Sequence, residues 1–311
     1  MQRAKSPAGT LIITAVVGVL VLVFTVFAMY WLVNRTVNHR KRYTIPGTKV
    51  PAVTSKLQVF EADAIPAPGN GKRMSFAFWI YIHDMNKFSG SYRNVLYRGD
   101  AAELLSSHSP TVLLDAKDNR MHVFFGTEKA DPYNGKSDKL FGTGQGPDSN
   151  EDNRMRNVAY LVATRGITID YIPIQRWVHV AIVINEEVNG GTIVAYLDGE
   201  LNKISRVAAD APFGDPNSQV TDLTSASDPK PLLTTALDIQ NANLEKRGNI
   251  YVGGTTQSSI PGFSGLVSRL TFFNYDLNAR DIYNVYLEGP VDGLASKMGA
   301  AYGVRTPIYR L

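Results

Sequence analysis

The sequence predicts an antiparallel all-β sandwich preceded by one transmembrane helix. Three observations lead there. From Leu11 to Val33 the chain carries 23 residues without a charged side chain. Behind that run, short segments of apolar or alternating residues recur with turn chemistry between them, and only one later stretch has helical spacing. At 311 residues, 44% hydrophobic and 19% charged, the chain can bury a large core, which excludes wholesale disorder.

The N-terminal run comes first. Fifteen of its 23 residues are Leu, Ile, Val or Phe, and only Thr14, Gly18 and Thr25 interrupt its apolar character. At about 1.5 Å per residue it reaches roughly 34 Å, enough for a ~30 Å hydrocarbon core. Leu11, Val16, Leu20, Phe24, Phe27 and Val33 are expected to face lipid, with Tyr30 and Trp31 at the interface. A cleaved signal peptide is the rival reading. The run exceeds the usual ~7–15-residue signal core, and no small-x-small cleavage site follows Ala28.

Of the 32 Lys and Arg, six precede Tyr43 with no acid among them: Arg3, Lys5, Arg35, Arg40, Lys41 and Arg42. The rest of the chain therefore holds slightly more acid than base, and the net +4 is no footprint for nucleic acid. Arg35, Arg40, Lys41 and Arg42 outnumber the basic residues before the span, so the positive-inside rule puts residues 35–311 on the cytosolic side. The same four residues are candidates for contact with anionic headgroups. The absence of cysteine removes disulfides, thiolate metal sites and cysteine nucleophiles, and suits a reducing compartment.

Residues 43–72 are rich in Pro and Gly and read as an extended spacer. Ser75–Ile82 (SFAFWIYI) then alternates Phe76, Phe78, Ile80 and Ile82 against Ser75, Ala77, Trp79 and Tyr81, the pattern of a strand buried on at least one side. Further strands are predicted at Asn94–Tyr97, Thr111–Asp115, Met121–Phe125, Val158–Ala163, Ile167–Tyr171, Trp177–Asn185, Thr192–Leu197, Asn249–Val252 and Leu266–Phe273. Asp198-Gly199 reads as a type I′ hairpin turn, which needs φ > 0 at both residues. The one helix begins at an Asn278 cap with Asp281 three residues on, presents Ile282, Val285 and Tyr286, and stops at Gly289-Pro290. Thr127–Asn157 and Ala208–Gly248 show no pattern; long loops of this kind are expected to be held by partners. The predicted organisation is a flank (1–10), a membrane helix (11–33), a basic and Pro/Gly-rich spacer (34–72), a sandwich (73–288) and a C-terminal arm (289–311).

The string from Pro173 to Leu201 (PIQRWVHVAIVINEEVNGGTIVAYLDGEL) resembles the laminin-G-like, concanavalin-A-like jelly roll, with its Trp-x-His-Val-Ala strand and a following strand that closes in Tyr-x-Asp-Gly. FAFWIYI upstream, Asn249–Gly254 (NIYVGG) and Gly262–Tyr286 extend the resemblance over about residues 72–288. It implies two stacked antiparallel sheets with binding loops at one rim, a fold shared by lectins, glucanases and adhesive modules. The whole arrangement, an N-terminal anchor, a cysteine-free module and the tail GPVDGLASKMGAAYGVRTPIYRL, resembles the membrane-anchored minor capsid proteins of large icosahedral DNA viruses such as those of green algae. That resemblance implies partners in the bilayer and in neighbouring capsid or shell proteins, and a place between virion inner membrane and capsid.

The candidate sites are few. Glucanases of this fold carry acids at alternate strand positions, whereas here Glu61-Ala62-Asp63 lacks a third acid and Glu186-Glu187 are adjacent. His39, His83, His108, His122 and His179 make no metal spacing, and His179 reads as a packed strand residue. No cofactor is expected. Calcium is the one ion the resemblance leaves open, with Asp100, Asp115 and Asp118 as its weak candidates. Gly142–Gly146 and Gly262–Gly265 lack the flanking elements of a phosphate loop or a nucleophile elbow. Trp79 and Trp177 can stack on sugar rings, but their strand positions favour core packing. In the tail, Val304, Arg305, Ile308, Tyr309 and Leu311 alternate around Pro307 like an arm that docks on a neighbour. The expected function is non-catalytic: a tether between bilayer and protein shell. The alternative is a membrane-bound, glycan-binding adhesion module.

Overall fold

The computed structural model describes residues 7–37, 41–49, 52–69, 71–99, 107–127, 158, 161–187, 190–206, 237–254 and 260–291. These fall into two compact units, Met1–Lys41 and Arg42–Leu311.

The first unit is a single helix, α1 (Pro7–Val37). Its stretch Ala15–Leu32 is long and apolar enough to cross a membrane, and none of that stretch is buried. Val16, Leu20, Phe24, Phe27, Tyr30 and Trp31 all stand exposed on it; Leu11, Val33 and Arg35 lie within the same helix. Thr25 is tolerated because its hydroxyl bonds back to the carbonyls of Val21 (2.8 Å) and Leu22 (2.9 Å), so no polar group is left over.

The second unit is the two-sheet antiparallel sandwich expected from the concanavalin-A-like resemblance. Its strands are β1 (Arg42–Thr44), β2 (Ala52–Val53), β3 (Gln58–Phe60), β4 (Met74–Asp84), β5 (Arg93–Gly99), β6 (Thr111–Leu114), β7 (Met121–Phe124), β8 (Gly166–Ile169), β9 (Trp177–Glu187), β10 (Gly190–Leu197), β11 (Glu200–Ser205), β12 (Asn249–Val252) and β13 (Ser264–Phe273). One sheet runs β1-β13-β4-β9-β10-β11, with β2 also on β13; the other runs β3-β12-β5-β6-β7-β8. The alternation in β4 and β9 sets the layers. Phe76, Phe78, Ile80 and Ile82 pack with Val178, Val180, Ile182 and Ile184 against Val112, Leu114, Val123, Ile167, Ile169 and Ile250 of the facing sheet. Phe76 stacks on Phe272 at 5.8 Å between centroids.

Both outer faces are also covered. Helix α2 (Ala279–Leu287) buries Ile282 over Ala77, Ala181, Val183 and Phe273 of the first sheet. On the second sheet, Val158, Leu161 and Val162 pack on Leu113, Phe124 and Tyr251. Residues 161–165 are helical, so the strand predicted at Val158–Ala163 is corrected. The apolar residues there sit at i, i+3 and i+4, which is helix spacing that a short apolar run disguises.

The spacer expected over 34–72 is corrected as well. From Arg42 onward it belongs to the sandwich: β1 and β2 pair with β13, β3 pairs with β12, and Ile45, Ala62 and Ile65 are in the core. Pro and Gly suppressed the strand pattern, but β1 and β2 borrow their register from the long β13, and β3 takes its register from β12. Arg42 is therefore no free headgroup ligand. It forks onto both carboxylate oxygens of Glu288 and lies 5.7 Å over the Phe273 ring. Lys41 is exposed, and Arg40 lies outside the described residues.

Candidate functional site

The end of the sandwich opposite Arg42 carries the candidate site. Arg42 is level with Phe273 and, through it, with Ser75 at the start of β4. The far end holds Tyr81, His83 and Asp84, some nine residues on, or about 30 Å along the strand. There the β4–β5, β6–β7 and β8–β9 loops meet and are stitched together by backbone. Gly90 N–H donates to Ala116 O (2.9 Å), Ile172 N–H to Asn119 O (2.7 Å) and Gln175 N–H to Ile82 O (2.7 Å).

A buried arginine and a half-buried aspartate brace these loops. Arg93 donates to the carbonyls of Met85 and Asp115, which ties the β4–β5 loop to the β6–β7 turn; burial pulls its guanidinium below its ordinary value, against the pull of Asp115 and Asp84. Asp115 accepts from the backbone N–H of Lys117 (2.8 Å) and Asp118 (3.0 Å) and lies 3.0 Å from His122 Nε2, whose Nδ1 lies 3.0 Å from the Thr168 hydroxyl. Burial alone would raise the Asp115 carboxyl, but these hydrogen bonds hold it well below the usual carboxylate range.

Asp115 spends its oxygens on the turn and on His122, and Asp118 faces Arg120 at 3.1 Å. Asp100 lies outside the described residues. Among the described residues no three His, Cys, Asp or Glu gather as a metal site.

The rim presents aromatic rings outward among the exposed charged side chains of Asp84, Lys87, Lys117, Asp118 and Arg120. Phe88 is 41% and Tyr171 59% exposed. Tyr81 and Trp177 are half-buried cross-strand partners at 5.6 Å, with His83 4.7 Å from Tyr81. Two of the non-glycine residues with positive φ lie here, Phe88 (62°) and Gln175 (56°), while Asp198 (50°) belongs to the β10–β11 turn and Arg269 (50°) to β13. Backbone held off its preferred region costs on the order of 1–3 kcal/mol per residue and persists only where surrounding contacts impose it.

The two tryptophans read together from sequence thus part company. Trp79 is buried under α2, stacked on Tyr286 at 5.5 Å, as core packing requires. Trp177 reaches the surface at the rim. The rim's loops lie up to about 90 residues apart in sequence, and the only sequence signal for them was the turn chemistry between strands. The arm residues Val304, Arg305, Ile308, Tyr309 and Leu311 lie outside the described residues, as do loop residues 128–157 and 207–236.

No protein-family model and no curated protein matches the chain. Solved structures similar to it include the botulinum neurotoxin type G receptor binding domain (TM-score 0.36, 12% identity, covering 76% of this chain and 45% of that one). Another is the botulinum neurotoxin serotype D ligand binding domain in complex with N-acetylneuraminic acid (TM-score 0.39, 10% identity, 79% and 45%). A mutant, HCR/D W1238A, has TM-score 0.38 and 11% identity over 79% of this chain and 45% of that chain. The chain spans less than half the length of these structures.

Proposed function

We propose that the chain is a single-pass membrane tether whose sandwich binds neighbouring proteins and performs no chemistry. The observation that carries this reading is the direct succession of a lipid-compatible helix and a rigid contact module. Exposed apolar α1 ends at Val37, and β1 begins at Arg42, already paired in a sheet. The aromatic rim at the far end of β4 supplies the contact surface, with Tyr and Trp the side chains that bury most area at an interface for little entropy.

The finer reading is a link between a bilayer and a protein shell, as in a viral minor capsid protein, with the sandwich on the cytosolic side. It is supported by the arrangement of anchor, cysteine-free module and tail, and by the basic residues that follow α1. Carbonate washing is expected to leave the chain in membranes, and protease outside sealed vesicles to degrade the sandwich only from the cytosolic face. Crosslinking in the source particle is expected to join the rim loops to shell proteins. Release by carbonate would overturn the tether.

A second reading rests on Tyr81 and Trp177. Half-exposed rings 5.6 Å apart beside His83 are suited to a sugar face, which makes the rim a glycan-binding surface. A glycan array with the full chain, compared with the Trp177→Ala variant, separates the two: saturable, Trp177-dependent sugar binding favours the lectin.

A further inference from the structure

His179 is fully buried, and neither ring nitrogen has a hydrogen-bond partner among the described residues. It lies on the outer face of the first sheet, with its ring 5.2 Å from Trp79 and 5.9 Å from Tyr286 of α2, tilted at 52° and 54° to them. A site that needed only packing volume would be filled by Phe or Leu without leaving two polar atoms unmatched. What seals His179 from water is α2. Tyr283 and Tyr286 close over the β10–β11 turn at Gly199, where an added Cβ would come within 3.1 Å and 3.4 Å of their rings.

We infer that α2 is an acid-released cover: protonation of His179 drives the helix off the sheet and bares the apolar face beneath it. Hydrating the imidazolium requires removing what lies on that face, and what lies there is the nine-residue α2. The face so exposed includes Ala77, Ala181, Val183 and Phe273. Glu288, at the end of α2, holds both Arg42 and Arg269, so release also loosens β1 and β13.

Linkage gives the size and sign. Burial lowers His179 from its ordinary 6.5 to about 3 while the helix is docked. Docking is then undisturbed above 6.5, and it weakens as pH falls below 6.5 until the docked value is reached. Between pH 7.5 and 5.0 the opening equilibrium grows about 30-fold. A cation–π return of ~1 kcal/mol from Trp79 and Tyr286 leaves that ratio unchanged, because at pH 5.0 it is set by the undocked imidazole.

Other groups packed around His179 do not mimic this. Trp79 from β4 and Tyr286 and Tyr283 from α2 are its aromatic surroundings. From the β10–β11 turn, Asp198 accepts the His179 backbone N–H (2.8 Å) and pairs with Arg176 (2.9 Å), with Glu200 nearby. Burial raises the Asp198 carboxyl despite that hydrogen bond and Arg176, so its own titration favours the docked state as pH falls, opposite to His179.

The test is hydrogen exchange on the full chain in lipid nanodiscs, at pH 7.5, 6.0 and 5.0, corrected for intrinsic amide rates. The inference expects α2 amides to exchange about 30-fold faster at pH 5.0 relative to β6 and β7, and the His179→Phe variant to lose that response. His179→Met serves if Phe overfills the site. Wild-type α2 protection that tracks β6 and β7 across the range overturns the inference without any variant, and so does a pH response that persists in either substituted protein. None of this depends on what the rim binds.

Discussion

Histidines 122 and 179 occupy opposite environments that their spacing in the chain conceals. His122 sits between a carboxylate and a hydroxyl, 3.0 Å from each, while His179 is enclosed by aromatic rings. The strand alternation of Val178, His179 and Val180 revealed that His179 is packed, but not that α2 covers it, because the cover arrives a hundred residues later. Asp115 shows the same dependence on remote chain: its turn bonds are local and legible, and the His122 contact is tertiary. Asp115→Ala is expected to cost about 1–3 kcal/mol in urea unfolding at pH 7. Since the folded carboxyl is held low, that difference should persist above the ordinary 3.8 and shrink as pH falls below it. A cost independent of pH would show that the carboxylate charge plays no part.

Elements with strong local chemistry formed where their residues indicated. Asn278 caps α2, its side chain accepting from Asp281 N–H (2.9 Å), and Gly289 with Pro290 ends it. The predicted type I′ hairpin has positive φ at both Asp198 (50°) and Gly199 (84°). Asn278→Ala is therefore expected to destabilise α2 by about 1 kcal/mol, read as faster exchange of residues 279–287 with little change elsewhere. Gly199→Ala should cost about 1 kcal/mol or more in thermal unfolding, because both its φ and the tyrosine rings beside it oppose a Cβ. Elements without such chemistry were invisible. β11 is polar and largely exposed, and it becomes a strand by pairing with β10 after a tight turn. Residues 161–163, inside the strand predicted at Val158–Ala163, are helical, because an apolar run of six fits either period.

For the molecule as a whole, the sandwich unit begins at Arg42 instead of at residue 73. Removing residues 1–41 is expected to leave the sandwich's melting temperature within a few degrees of the full chain's. Removing 1–72 takes away three strands together with Ile45, Ala62 and Ile65, and should abolish the cooperative transition seen by calorimetry. A spacer would allow both deletions. At the centre, Phe76→Ala is expected to cost about 3–5 kcal/mol, since the ring packs against Phe78, Phe125 and Phe272 at 5.8–6.3 Å.

Composition and periodicity by themselves determined the lipid-compatible helix, the β class, the long central strands and the capped C-terminal helix. Each of these follows from side chains within a few residues of one another, whose energetics do not depend on where the rest of the chain goes. Tertiary structure alone decided that residues 42–65 are strand and core, that Trp79 is enclosed while Trp177 is not, that three distant loops share one rim, and that His179 lies beneath α2. Those outcomes depend on which surfaces are brought within a few ångströms by strand pairing and stacking. Burial, orphaned hydrogen bonds and shifted titration have no value until that approach has been made.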